Sequence, residues 1–123
     1  MKVLLSIRPQ FTNKILDGTK GYEFRKKIFQ RTDVDKVIIY ATSPISKIVG
    51  EFTFNEILYE DIEELWRRTK EQAGISKKFF NEYFKEYEKG FAIKIDSYVK
   101  YNEYISLDEA YGKAAPQSFI YID

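Results

Sequence analysis

The chain has 123 residues, 20 Lys and Arg against 19 Asp and Glu, and neither cysteine nor histidine. That length suits one domain with its own core, predicted to span residues 1–123. The composition excludes disulfides, thiol catalysis and the usual zinc ligands, so any chemistry falls to Lys, Glu, Asp, Tyr, Ser or Thr.

Lys2 to Ile7 is rich in Val, Leu and Ile and predicts a short strand. Arg8-Pro9 ends it, because the residue before proline is pushed out of the helical region while proline itself suits the first turn of a helix. Pro9 to Asp17 then reads as a short helix with Phe11, Ile15 and Leu16 on one side, and Gly18 stands where a left-handed cap belongs. Lys20 to Lys27 predicts a second strand. Its alternation puts Glu23 and Arg25 on one face and Tyr22 and Phe24 on the other.

Ile28 to Asp35 is a polar connection, and Val37 to Ala41 is an apolar run suited to a strand covered on both faces. Thr42-Ser43-Pro44 makes a turn. Lys47 to Leu58 is a further strand, in which Gly50 marks a bend or bulge. Helical spacing governs Ile62, Leu65, Trp66, Thr69 and Ala73, with Gly74 as the stop, and Ser76 caps a second helix carrying Phe79, Phe80, Tyr83, Phe84 and Tyr87. This aromatic stripe reads as core or interface packing rather than a base-stacking platform. Phe91 to Val99 alternates as a strand, Leu107 to Tyr111 forms a single helical turn after the capping serine Ser106, and Ser118 to Ile122 is the closing strand. The fold class is therefore α+β: a small mixed sheet or partly closed barrel of five to six strands with helices packed outside.

Charge is unevenly spread along the chain. Residues 1–31 hold eight cations against Asp17 and Glu23, whereas residues 51–64 hold six acids and no cation. The basic end suggests an anionic partner such as a phosphate group or an RNA backbone. Apolar runs are too short for a membrane span and the start has no signal-peptide core, which predicts a cytoplasmic protein without membrane attachment.

The run Gly18-Thr19-Lys20-Gly21-Tyr22-Glu23-Phe24-Arg25 is the densest functional candidate. A carboxylate held between lysine and arginine stays ionised, and the two cations offer donors to a phosphate or a carbonyl. An ordinary solvated strand face with cross-strand ion pairs would carry the same three charges, and Arg25 would then serve a structural pair with Glu23 or Glu51. Both readings remain open at the level of sequence.

Ser6-Ile7-Arg8-Pro9, the stretch Lys14 to Arg25, the segments Ile39 to Pro44 and Ile48 to Glu51, and Ala115 to Phe119 together resemble an ASCH domain, a family in the PUA-like superfamily of small β-barrels. Gly18, Lys20, Glu23 and Arg25 match its signature of glycine, any residue, lysine, any two, glutamate, any one, arginine. The resemblance implies binding of RNA or a modified nucleoside or nucleotide in a cleft beside the signature; DNA is the less expected partner, because the helix from Ile62 begins acidic and no helix-turn-helix is recognisable, and no cofactor or metal is implied. Ligand contacts are expected from Arg8, Lys20, Tyr22, Glu23, Arg25, Tyr40, Ser43, Glu51 and Ser118. Some members of the family are amidohydrolases that deacylate modified cytidine with a lysine, a threonine and a glutamate, and others are ribonucleases. Here Lys20 matches that lysine, Glu23 stands where the threonine belongs, and Glu51, then Glu63 or Glu64, are candidates for the glutamate. If the protein is an enzyme, Lys20 and Glu23 are its expected catalytic residues. A transcription-linked, ligand-sensing domain is the third reading.

Overall fold

The structure is a computed structural model that describes residues 1–123. Its elements are β1 (Lys2–Ile7), α1 (Pro9–Leu16), β2 (Tyr22–Arg25), β3 (Lys36–Ala41), β4 (Lys47–Asp61), α2 (Ile62–Thr69) with a 3₁₀ turn (Lys70–Gln72), α3 (Lys77–Tyr83), β5 (Lys89–Ile105), α4 (Leu107–Tyr111) and β6 (Phe119–Ile122). The six strands form one mixed sheet in the order β2-β5-β4-β3-β1-β6, with β1 and β3 parallel and the other neighbours antiparallel. No helix is long and apolar enough to cross a membrane.

Strand alternation divides the core. Val3, Leu5 and Ile7 of β1, Val37, Ile39 and Ala41 of β3, and Phe52 and Ile93 join Ile15 of α1 in one cluster. The alternate residues Leu4, Ile38 and Tyr40, with Ile48 and Ile122, turn to the opposite face and are covered by Leu107 of α4. A third cluster forms where Tyr22 and Phe24 of β2 meet Leu65 of α2 and Phe80 and Phe84. Phe24 meets Phe80 edge to face at 5.2 Å and Phe84 at 6.3 Å, the offset geometry that aromatic quadrupoles favour. The stripe of aromatics after Ser76 thus supplies a core.

Caps explain where the helices begin. Asp61, Ser76 and Ser106 each accept a hydrogen bond from the backbone N–H three residues on, at 3.0, 3.1 and 3.3 Å. Each such cap contributes about 1 kcal/mol. α1 has no side-chain cap and relies on Pro9 at its first position.

Three strands differ from their expected extents: β4 runs past Leu58 to Asp61, paired with the start of β5. β2 is only four residues long, because Lys20 and Gly21 belong to a loop tied elsewhere. β5 runs on through Lys100 to Ile105, where pairing with Gly50 and Ile48 of β4 overrides the weak strand preference of a polar segment. Gly50 lies at an irregularity in both of its ladders. A Cβ there would come within 2.5 Å of the Val99 carbonyl oxygen.

The sheet is not closed into a barrel: β2 and β6 are its two edges. It curls far enough, however, for one side chain to reach across. The Arg25 guanidinium on β2 donates from Nη2 to the Ser6 carbonyl at the end of β1, 2.9 Å away, and from Nη1 to Ser118 Oγ just before β6, 3.3 Å away. A side-chain clasp stands where a backbone ladder would complete a barrel.

Candidate functional site

The loop between α1 and β2 fixes Lys20 from several directions. Gly18 adopts φ +85°, the left-handed conformation that closes helices at least cost for glycine. Thr19 then folds over Asp17, its N–H and hydroxyl both donating to Asp17 Oδ1 at 2.9 and 2.6 Å. The N–H groups of Thr19 and Lys20 both donate to the Lys14 carbonyl at 3.0 Å. Gly21 is held by the Gln72 carbonyl at 2.8 Å, which ties the loop to the turn after α2.

Lys20 is 3% exposed. Its Nζ donates to the Ala73 carbonyl at 2.9 Å and lies 4.7 Å from the Phe24 ring centroid and 5.5 Å from that of Phe11. Lys14 Nζ donates to the neighbouring Gly74 carbonyl at 2.9 Å, so two ammonium groups clasp the same short segment. Burial lowers the pKa of Lys20 to about 8; the Glu23 carboxylate opposes that fall and Lys14 adds to it. Lys20 is thus a cation near its own titration point at physiological pH.

This packing depends on Gly74, whose φ is +71° and whose missing Cβ would lie 2.6 Å from Lys20 Cβ and 3.0 Å from its Cα. Gly74→Ala is expected to cost at least about 1–3 kcal/mol, combining left-handed strain with displacement of Lys20. Urea denaturation measures the loss. Gly112→Ala is the control, since it too has a positive φ, +62°, but nothing within 4 Å, and so reports the strain alone.

β2 supplies the other two charges. Glu23 pairs in register with Ile93, so its side chain lies on the face of the inner cluster, at that cluster's open end. Glu23 and Arg25 are 6% and 9% exposed. Arg25 Nε donates to Glu23 Oε2 at 3.0 Å, while Glu23 Oε1 makes no hydrogen bond within the chain. Three of the five guanidinium N–H groups are thereby committed, to Glu23, Ser6 and Ser118.

These side chains open onto a cleft of about 500 Å³, within the range of small-ligand sites. Ser6, Ile7 and Arg8 form one wall, and Phe11, Ile75 and Phe79 an apolar one. The buried Lys20, Glu23, Phe24 and Arg25 line the floor, and the more exposed Lys26, Glu82, Tyr83 and Gln117 complete the rim. Cations outnumber acids four to two, and Arg8, Lys20 and Lys26 have no carboxylate within salt-bridge distance. Apolar walls, spare donors and a spare carboxylate oxygen on the buried Glu23 suit a planar polar group attached to an anion.

Among the residues singled out from sequence, Arg8, Lys20, Glu23 and Arg25 converge on the cleft. Ser118 joins them through its hydrogen bond to Arg25. Tyr22 packs beneath β2 in the cluster with Phe80 and Phe84, and Tyr40 packs with Leu4 and Ile38 on the face under α4. Ser43 is exposed in the turn after β3, away from the cleft lining. Glu51 sits on β4 between Lys36 Nζ and the Tyr101 hydroxyl, each 2.7 Å away. Lys36 holds the Glu51 carboxyl below its usual range, and burial together with Glu51 pushes the Tyr101 phenol up. Arg25 serves both a structural pair and the cleft, so the two readings of the sequence describe the same side chain.

As lining residues, sequence reasoning misses Ser6, Ile7, Phe11, Phe24, Lys26, Ile75, Phe79, Glu82, Tyr83 and Gln117. Phe79 and Tyr83 belong to an aromatic stripe whose period identifies a packed face, but they form the one margin of it that borders the cleft. Gln117 lies in the Ala115 to Phe119 segment of the family resemblance without being singled out there, and no signal marks Glu82.

A family model described as ASCH domain matches residues 5–112. An ASCH domain-containing ribonuclease of Zymomonas mobilis is 31% identical over 91 residues, covering 74% of this chain and 62% of that protein. Large ribosomal subunit protein uL22 of Ureaplasma parvum is 28% identical over 120 residues, 98% of this chain and 39% of that one. The chain spans between 15% and 62% of the length of the curated relatives it matches. The crystal structure of ASCH from Zymomonas mobilis superposes with a TM-score of 0.91 at 27% identity, over 99% of this chain and 87% of that one.

Proposed function

The chain belongs to the ASCH domain family, and we propose that it binds single-stranded RNA by drawing one nucleotide into the cleft floored by Lys20, Glu23 and Arg25. The observation that carries this reading is the convergence of three buried charged groups on one open cavity, where Lys20 has no carboxylate within salt-bridge distance and Glu23 keeps one oxygen without a hydrogen bond. The similarity to a ribonuclease supports RNA as the partner.

In this reading Phe11 and Phe79, which meet edge to face at 5.3 Å, give the base its apolar wall. Glu23 Oε1 accepts from an amino or imino N–H of the base. Lys20, Arg8 and the spare guanidinium N–H groups contact phosphate or carbonyl oxygens. Binding of a single-stranded RNA octamer, followed by fluorescence anisotropy, is expected to weaken with salt at a slope of about 0.7 per phosphate contact. Glu23→Gln is expected to change which base is preferred more than the salt slope, because it turns a pure acceptor into a mixed donor and acceptor. Affinity insensitive to salt would end the proposal.

A second reading, cleavage of the bound RNA, is favoured by the Lys20 pKa of about 8 and by the ribonuclease relative. Neutral Lys20 would take the proton of a ribose 2′-hydroxyl as the 2′-oxygen bonds to phosphorus. The P–O5′ bond breaks, and the departing oxygen takes a proton from a rim donor. Tyr83 lines the cleft and is one such donor: its hydroxyl, which donates to the Phe24 carbonyl at 3.3 Å, would turn to the departing oxygen. A 2′-deoxy substitution at the scissile nucleotide is expected to preserve binding and abolish cutting.

A further inference from the structure

Beside the cleft lies a second hollow of about 270 Å³. Arg25, Lys26, Tyr83 and Gln117 line both, so the two hollows adjoin; Lys27, Tyr87 and Ser118 line the second alone. No acid lines this second hollow, and neither Lys26 nor Lys27 has a carboxylate within salt-bridge distance. Lys26 Nζ stands 4.6 Å from the Tyr83 ring centroid and 5.6 Å from that of Tyr87.

We propose that this hollow is a second nucleotide subsite, so that the protein takes an RNA strand across at least two consecutive nucleotides rather than a free nucleoside. The inference rests on the reading of the main cleft as an RNA site. Lys26 and Lys27 follow directly on the strand that carries Glu23 and Arg25, which places their ammonium groups along the path a backbone takes on leaving the cleft. Tyr87 lies beyond the end of α3 and is 41% exposed. A large apolar ring left open beside unpaired cations is the arrangement that stacks a base while the cations hold its phosphate. Stacking is indifferent to base identity, so this subsite adds affinity and strand length and leaves base choice to the cleft. The Lys26 ammonium, poised over both rings, would move to the phosphate as the base settles on Tyr87.

The test is binding of a single-stranded RNA octamer and of the four nucleoside 5′-monophosphates by wild type, Tyr87→Leu, Lys27→Gln and Lys20→Met, with the integrity of the octamer checked after each titration. Tyr87→Leu is expected to weaken octamer binding about tenfold. Lys27→Gln is expected to lower the salt slope by about 0.7. Both should hold monophosphates as the wild type does. If both variants bind the octamer like wild type while Lys20→Met loses it, the second subsite is wrong and the RNA reading of the cleft stands. If both variants weaken monophosphates as much as the octamer, the two hollows are one site and the inference fails. Should wild type bind no octamer, the reading beneath it fails as well.

Discussion

Arg25→Ala is expected to cost about 3–5 kcal/mol of folding stability, the largest loss for any single truncation outside the apolar core. Its side chain is among the few buried charges, and the Glu23 carboxylate left behind would be a buried anion without its partner. The Ser6 carbonyl and the Ser118 hydroxyl would lose their donors at the same time. Arg25→Lys should recover little, because one ammonium cannot reproduce a fork that meets Glu23, Ser6 and Ser118 in three directions. The double change Glu23→Leu with Arg25→Met is expected to be milder than Arg25→Ala alone, since it removes both charges and keeps the volume. Urea midpoints of the three variants at pH 7 test this. If the double variant were the least stable, the cost would lie in lost packing and not in an orphaned charge.

The same arginine explains why a curled but open sheet keeps its shape. Between β2 and the β1–β6 end there is no backbone pairing, so fewer interactions hold that seam than hold any strand pair. Hydrogen exchange is expected to be faster in β2 and β6 than in β3 and β4, which are paired on both sides. A ligand bridging Lys20 on one side and Arg8 on the other would join the two banks of the seam. RNA binding should therefore slow exchange at both edges together.

Much of this organisation is readable from residue order because local rules and the fold agree. The alternation of Tyr22, Glu23, Phe24 and Arg25 separates a charged face from an apolar one without reference to anything distant. Gly18 and Gly74 announce left-handed positions, and Ser76 and Ser106 announce helix starts. What cannot be read is which apolar face meets which. Tyr40 has the chemistry of a stacking residue, yet its place on β3 turns it under α4, and only the register with β1 and β4 decides that. Glu51 follows the same rule: its partners Lys36 and Tyr101 come from β3 and the far end of β5. Conversely, Phe79 and Tyr83 repeat at the spacing of buried residues and still border the cleft, because α3 is short and its flank overhangs β2. Periodicity reports that a face is covered. It does not report where the cover stops.

Lys20 gives the second large effect, and it can be separated from every other by its sign. Burial lowers its pKa from the ordinary 10.5 to about 8. Between those values the unfolded chain keeps a proton that the folded protein has released, so raising the pH favours the folded state. Wild-type stability is therefore expected to rise by about 3 kcal/mol relative to Lys20→Met as pH goes from 8 to 10.5, and to run parallel to it below pH 7. The Ala73 carbonyl loses its donor in the variant at every pH, which shifts the curve without changing its slope. Tyr83 and Tyr101, whose phenols are pushed up, oppose the rise at high pH in both proteins and cancel in the difference. RNA reads the same titration in two directions. As a binding cation, Lys20 holds phosphate only while protonated, so affinity should fall as pH rises through about 8 in wild type and stay flat there in Lys20→Met. As a general base, Lys20 acts only when neutral, so kcat/KM for strand scission should climb through the same pH. Affinity and cleavage moving oppositely around one midpoint, with both transitions absent from Lys20→Met, would place both roles on a single nitrogen. A cleavage profile flat through pH 8 would leave Lys20 a binding residue and move the base elsewhere in the cleft.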